Sequence, residues 1–484
     1  MTRTPGPFVG RRAELAALEA EFRKVRRTGR GGFVLVRGRR QVGKSRLVEQ
    51  FLTRSERPHV FFSATKGRRP GVELSVFAEQ VAVSSLPAAG LVSAGARFPT
   101  WDAALAVVAG VAVRAKPSVV VIDELPYLVE RDTSVEGALA TAWDRHLRDA
   151  PVLLIVIGSD LAMMSALTDH DRPLYGRPTR ALRVPPLTPA EVAEMSGLAP
   201  APALDAYLVV GGFPLLASTW GRSTDLRSFL AREAMDPTSP LFVVGERMVG
   251  AEFPPDAQAR AVLTAIGSGE RGFTAIGAVS GVPRQSLDRT LTMLVDKGVA
   301  AKNRPLSTSG GREARYAIVD PYLRFWLRFL EPGMPEAERG RGDLVVERIL
   351  AGWSGYRGRA VEHLVREAVE RLLPDPRLGR ARHVGSFWTR TGDVEVDLVG
   401  AARPGRPPRL DFVGSIKWRE RAPFTSADVA ALVEHGMRVP GADGHTLLVG
   451  VSRSGFRTSK LDLALGPAEL LEAWERPEAH PPPA

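Results

Sequence analysis

At 484 residues the chain is too long for one ordinary domain and sized for two to four. Its 44% hydrophobic and 25% charged content is that of a soluble globular protein, no apolar run approaches the ~20 residues that span a bilayer, and the absence of Cys excludes disulfides and thiolate metal sites. Met1–Pro5 lacks the apolar core of a secretory signal, so a cytoplasmic setting without a membrane partner is expected.

The net charge of +11 is unevenly placed, because residues 1–54 carry 14 Lys+Arg against 4 Asp+Glu. That excess favours an anionic nucleotide nearby or extends into a nucleic-acid surface. Within this segment, Gly32–Arg37 reads as a short strand and Arg46–Leu52 has helical spacing of apolar residues. Between them Gly38-Arg39-Arg40-Gln41-Val42-Gly43-Lys44-Ser45 fits G-x-x-x-x-G-K-[ST]. Strand, loop and helix in that order make a phosphate cradle. The glycines let successive N–H groups face an anion, and the helix N-terminus, with Arg46 in its first turn, adds its positive end. Lys44 is expected to reach the β- and γ-phosphates of ATP, and the Ser45 hydroxyl to ligate Mg²⁺.

Val60–Ala64 reads as another strand, and Ser118-Val119-Val120-Val121-Ile122-Asp123-Glu124 as a strand buried on both faces. Its acidic pair falls at the C-terminal end, where open α/β sheets place ligands. Asp123 is the expected Mg²⁺ partner and Glu124 the residue that polarises the attacking water. Val152–Ile157 is a further buried strand ending in Gly158-Ser159-Asp160. Ser159 and Asp160 either contact the γ-phosphate or the water, or cap the next helix.

From Leu187 to about Gly250 short helices are expected, starting at Pro186-Leu187-Thr188-Pro189-Ala190-Glu191. Three helices and an alternating hairpin over Asp256–Ile318 spell a winged helix. Its third helix offers Arg284, Gln285, Ser286 and Arg289, with Lys302, Arg304, Arg312 and Arg315 around the wing. Residues 256–320 hold 9 basic against 6 acidic residues, so DNA binding is an open alternative to protein joining. Glu331–Pro335 and the charged run to Asp343 read as a linker. A helix Gly358–Leu373 and strands Asp393–Val399 and Arg409–Trp418 follow, joined by the turn Ala402–Pro408.

These residues together resemble the archaeal-type ATPases of the AAA+/STAND class. The resemblance lies in the opening Phe8-Val9-Gly10-Arg11-Arg12-Ala13-Glu14-Leu15, in Gly38–Ser45 and in Asp123-Glu124-Leu125-Pro126-Tyr127-Leu128. Pro173-Leu174-Tyr175-Gly176-Arg177 and Gly211-Gly212-Phe213-Pro214 add two further blocks. The resemblance is strongest over the first 215 residues. It implies that Phe8–Leu15 helps to hold the nucleotide base, that a helical lid follows the core, and that a winged helix and a PD-(D/E)xK nuclease-related domain come after it. Arg177 is a possible arginine finger under the same reading.

In the nuclease-like layout Glu362, Asp397 and Lys417 occupy the helix acid, strand acid and lysine positions. Ser415 stands where a second carboxylate belongs, and a hydroxyl is a far poorer ligand for a hard cation. Glu395, on the same face as Asp397, is a partial substitute, and Asp411 lies too far along its strand to be one. A degenerate, binding-only site is therefore expected.

The expected architecture is an α/β P-loop NTPase core of parallel sheet flanked by helices over 1–186. A helical lid (187–252), a winged helix (253–330), a linker (331–343), an α+β restriction-endonuclease-like domain (344–460) and a tail (461–484) complete it. The expected activity is ATP hydrolysis driving a conformational switch. The rivals are an ATP-binding scaffold with negligible turnover, an ATP-gated metal-dependent nuclease and, less favoured, a small-molecule kinase. DNA, a protein partner and self-association are the partners left open.

Overall fold

In the computed structural model, residues 8–476 are described except 55, 93–94, 112–115, 222–224, 254–256, 308–313 and 406–408. The chain divides into two compact units, Met1–Pro186 and Leu187–Ala484.

The first unit is built on five parallel strands: β1 (Gly32–Arg37), β2 (His59–Ser63), β3 (Ser118–Asp123), β4 (Val152–Gly158) and β5 (Arg180–Arg183), ordered β2-β3-β4-β1-β5. Every residue of β3 and β4 is buried, which explains their unbroken β-branched and aliphatic sequence. Helices cover the sheet, and a cluster from Phe62, Phe77 and Trp101 packs edge-on beneath β2. This is the fold of a P-loop NTPase. Since β1 and β3 run the same way, Gly38 and Asp123 leave the sheet at one end.

The second unit opens with short helices. Thr188 caps the first, Pro189–Ser196: its hydroxyl accepts from Glu191 N–H (3.2 Å) while the Glu191 carboxylate accepts from Thr188 N–H (2.8 Å). Gly211, between helices Pro200–Val210 and Pro214–Trp220, has φ 57 and ψ −153, and a Cβ there would lie 3.0 Å from the Tyr322 side chain. The Gly-Gly-Phe-Pro block is thus a packing corner, closed by Phe213 edge-on against Tyr322. Next come helices Ala257–Ser268, Phe273–Ser280 and Arg284–Asp296, and the antiparallel pair β6 (Ala300–Asn303) and β7 (Arg315–Ile318). The wing residues 308–313, Arg312 among them, lie outside the described residues.

The linker expected at 331–343 is helical. Pro321–Phe325, a π-helical turn Trp326–Leu330 and helix Glu331–Glu338 run on continuously, and helix Gly342–Leu372 begins almost at once. The wide turn sits just before Pro332 and Pro335, whose missing N–H groups leave upstream carbonyls without an α-helical partner. The helix expected from Gly358 therefore begins sixteen residues earlier, at Gly342.

The C-terminal sheet comprises β8 (His383–Trp388), β9 (Glu395–Ala401), β10 (Phe412–Lys417), β12 (Leu447–Ser452) and β14 (Leu463–Leu465) in the order β14-β12-β10-β9-β8. A small parallel pair, β11 (Phe424–Thr425) with β13 (Phe456–Arg457), flanks it. The residues expected as a tail thus begin with an edge strand and helix Pro467–Glu472.

Two contacts bind these parts into one body. Arg315 of β7 pairs with Glu395 of β9 (2.6 Å) and lies over the Trp388 ring, while Leu306 N–H donates to Ser386 C=O. Buried Asp205 accepts from Arg357 Nη1 (3.2 Å), Trp418 Nε1 (2.8 Å) and Arg453 Nε (2.9 Å). Among the described residues no helix is long and apolar enough to cross a membrane.

Candidate functional site

Loop Gly38–Gly43 joins β1 to helix Lys44–Thr53. Gly38 has no room for a side chain, because a Cβ would lie 2.5 Å from the Val184 carbonyl. Gln41 and Gly43 both take positive φ, 64 and 90, which turns successive N–H groups toward one hollow. Arg11 is buried and donates from Nη2 to Val42 C=O (3.0 Å), so the opening motif props the loop from behind. Arg40 stacks on the Tyr127 ring at 5.8 Å, joining the loop to the segment after β3.

Lys44 is 5% exposed and folded back, donating from Nζ to Gly38 and Arg39 C=O at 2.9 Å each. Burial lowers its pKa, opposed by the carboxylates of Glu124 and Asp123. Ser45 Oγ donates to Asp123 Oδ2 (2.8 Å), and Ser63 Oγ reaches the same oxygen at 3.3 Å. Asp123 Oδ1 is buried and has no partner, and burial raises the Asp123 pKa against the Ser45 hydrogen bond. A buried carboxylate with one oxygen unsatisfied beside a hydroxyl is an incomplete ligand set for a hard divalent cation, so these residues fit Mg²⁺.

Glu124 caps helix Leu125–Arg131 in the left-handed region (φ 58, ψ 48), a conformation costing a non-glycine residue about 1–2 kcal/mol. The kink separates two acidic neighbours: Asp123 faces Ser45, while Glu124 Oε2 accepts from Ser159 Oγ (2.8 Å) at the end of β4. Asp160 caps helix Leu161–Ala166 through Met163 N–H (2.9 Å), so the two polar residues ending β4 divide the expected roles.

Of the expected site residues, Arg177 lies away from this cradle and Arg46, in the first helical turn, faces its side chain to solvent. Arg177 precedes β5, whose Arg180 aligns with Val34, putting it at the strand N-terminal ends, opposite Gly38. There its guanidinium pairs with Asp144 (2.7 Å), so it does not serve this cradle as a finger. The Arg46 side chain is exposed and pairs with Glu49 (3.4 Å). Arg11, expected only as part of the opening motif, supports the loop, and Ser63 is an addition. Ser63 was legible as the polar end of the strand next to β3, and the register pairs it with Asp123.

The second carboxylate cluster has a different character. Asp397 Oδ2 accepts from Ser415 Oγ (3.1 Å) and Ile416 N–H (2.8 Å). Arg366, one turn after Glu362, lies 3.7 Å from its carboxylate and donates from Nη1 to the Asp397 carbonyl (3.2 Å). Burial raises the pKa of both acids and lowers that of Arg366. A guanidinium thus stands between the helix acid and the strand acid, where a cation would sit. Glu395 turns away to Arg315, correcting the expectation that it substitutes for an acid at Ser415, and Asp411 instead accepts from Arg380 N–H (2.9 Å). Lys417 lies beside Ser452 on β12 and lowers the Asp397 pKa. These residues do not fit a metal, and the described residues hold no group of three or more metal-ligating side chains.

Residues 7–159 match the model of the AAA ATPase domain, and residues 326–429 match a family described as archaeal and bacterial proteins of unknown function. The chain is 25% identical over 417 residues to an uncharacterized protein of Methanocaldococcus jannaschii, covering 85% of this chain and 88% of that one. A Walker-type ATPase of Pyrococcus abyssi is similar over 66% of this chain and 96% of its own, at 19% identity and a TM-score of 0.49. The ORC2 protein of Aeropyrum pernix, with ADPNP and ADP, is similar over 72% and 97%, at 12% identity and a TM-score of 0.43. The first unit carries a P-loop ATPase domain of the AAA kind.

Proposed function

We propose that the chain hydrolyses ATP at the loop Gly38–Ser45 and uses the cycle as a conformational switch. The observation that carries this reading is the paired arrangement of Ser45 with half-satisfied Asp123 and of Glu124 with Ser159. The loop N–H groups and Lys44 bind the phosphates, and Lys44 leaves the carbonyls of Gly38 and Arg39 to do so. Ser45 and Asp123 would hold Mg²⁺, which supplies positive charge against the phosphate oxygens. Glu124 accepts the proton of the attacking water, and Ser159 fixes which Glu124 oxygen is available.

The helices of 187–252 and the three-helix-and-hairpin module of 257–318, read as a lid and a winged helix, form the part that responds. DNA recognition by that module is not favoured. The outer face of Arg284–Asp296 alternates Arg284 and Arg289 with Asp288 and Asp296, and its hairpin is packed on β8 and β9. Nuclease activity is disfavoured by Arg366 and Ser415, which supports a degenerate domain.

Phosphate release from ATP and Mg²⁺ by the full chain tests the reading. Glu124→Gln should retain ATP while slowing hydrolysis by about 10²–10⁴-fold. Hydrolysis by Glu124→Gln at the wild-type rate sinks the assignment of the base. No turnover by the wild-type chain under any nucleic-acid condition favours the scaffold.

A further inference from the structure

The basic excess of residues 1–54 is not gathered at the nucleotide loop. Helix Arg12–Thr28 contains three acids, and each has a cation of its own: Glu14 with Arg11, Glu19 with Arg57, and Glu21 with Arg180. Its last two turns are left with Arg23, Lys24, Arg26 and Arg27, all exposed, and Arg30 follows past the Gly29 cap. Among the described residues none of these five has a carboxylate partner. Arg23, Arg26 and Arg27 share one helix face at i, i+3 and i+4 spacing. The helix dipole favours a cation or two in the final turn by about 0.3–1 kcal/mol each, which does not account for five.

The patch lies where β1 begins, at the sheet end opposite Gly38. Gly31 N–H donates to the Arg148 carbonyl there (2.8 Å), and exposed Arg145 and Arg148 extend the cationic surface, with Asp149 beside them and Asp144, held by Arg177, at the same end.

We propose that this face of the ATPase domain binds the phosphate backbone of duplex DNA, without reading sequence. The composition of the patch selects the partner. No large apolar side chain is exposed on residues 12–32, so the aromatic or aliphatic anchor of a protein interface is missing. The same lack disfavours a lipid surface, where apolar residues must enter the acyl boundary. No aromatic ring is exposed there to stack an unpaired base, which disfavours single strands. What remains is a rigid row of guanidinium groups about 10 Å long, and a duplex presents one negative charge per ~1.7 Å of axis.

The test is fluorescence anisotropy of the full chain with a labelled 30-base-pair duplex at increasing salt. The comparison is the quadruple variant Arg23→Gln, Arg26→Gln, Arg27→Gln, Arg30→Gln, in which glutamine keeps helix propensity. Neutralising four phosphate contacts should make wild-type affinity fall by about 10²-fold more than the variant's between 50 and 200 mM salt. ATP hydrolysis without DNA and the melting temperature should be unchanged, which separates failure here from failure of the ATPase reading. A second variant, Arg284→Gln with Arg289→Gln, should bind the duplex as wild type does. Equal affinity and salt slope in wild type and quadruple variant would overturn the proposal. So would preference for single strands, acidic vesicles or polyglutamate over duplex, or loss of binding only in the Arg284/Arg289 variant.

Discussion

Two regions withdraw acidic side chains from water, one at the end of β3 and one between a helix and β9, and they treat them in opposite ways. At the first, Asp123 keeps one oxygen unpartnered and its neighbour Glu124 is held in a strained backbone conformation. At the second, Asp397 accepts from Ser415 and Ile416 at one oxygen, and Glu362 has Arg366 beside it. An unsatisfied buried polar group costs about 1–3 kcal/mol, a cost that a ligand at Asp123 Oδ1 would relieve. The residues of the first region fit a divalent cation, whereas the second carries a guanidinium of its own.

The largest effect expected from breaking this contrast comes from Lys44→Ala, which should remove the thermal shift given by ATP and lower phosphate release by about 10³-fold or more. Asp123→Asn should abolish hydrolysis while raising the melting temperature without nucleotide. Burial raises the Asp123 pKa, so the folded state holds its proton more tightly than the unfolded chain does. That contribution is present at low pH and is lost as pH rises through the folded value, leaving a destabilising charge at neutral pH. A lower melting temperature for Asp123→Asn would show that the charge is already compensated.

Arg366→Met should cost the second unit about 2 kcal/mol, somewhat below the usual figure for a fully buried pair because both partners keep about a fifth of their side-chain surface exposed. The loss should shrink as pH falls, because the Glu362 and Asp397 pKa values are already raised and protonation relieves the charges that Arg366 offsets. Denaturant melts at pH 5 and pH 8 check this, and ATP hydrolysis should not change. Plasmid cutting with Mg²⁺ or Mn²⁺ by wild type would erase the contrast. The smallest effect belongs to Ser159→Ala, which should slow hydrolysis by about tenfold with ATP binding intact, as expected for one hydrogen bond to a charged group.

The first region was almost wholly legible in the sequence, because its chemistry is local. Gly38, Gly43, Lys44 and Ser45 fall within eight residues, and the apolar run Val119–Ile122 announces where Asp123 must emerge. Ser63 escaped because it acts from the neighbouring strand, although the parallel register places it beside Asp123. Arg177 could not be placed from its block alone, because strand direction decides which end of the sheet it occupies. In the second region the layout was legible and the occupant was not. Glu362 and Arg366 are an i, i+4 pair on one helix, a signal the sequence offers openly. The supposed linker escaped because Pro332 and Pro335 normally end helices, and a π-helical turn accommodates them here.

Asp205 has a consequence for how this protein can be cut and recombined. It sits on a helix that follows the ATPase core, yet three of its hydrogen-bond donors arrive from residues 357, 418 and 453. A chain ending between the Asp205 helix and residue 453 removes at least one of these donors from a buried carboxylate. Segments more than two hundred residues apart in sequence thus share one buried charge, so a truncation that removes any of the three donors should destabilise the second unit as a whole.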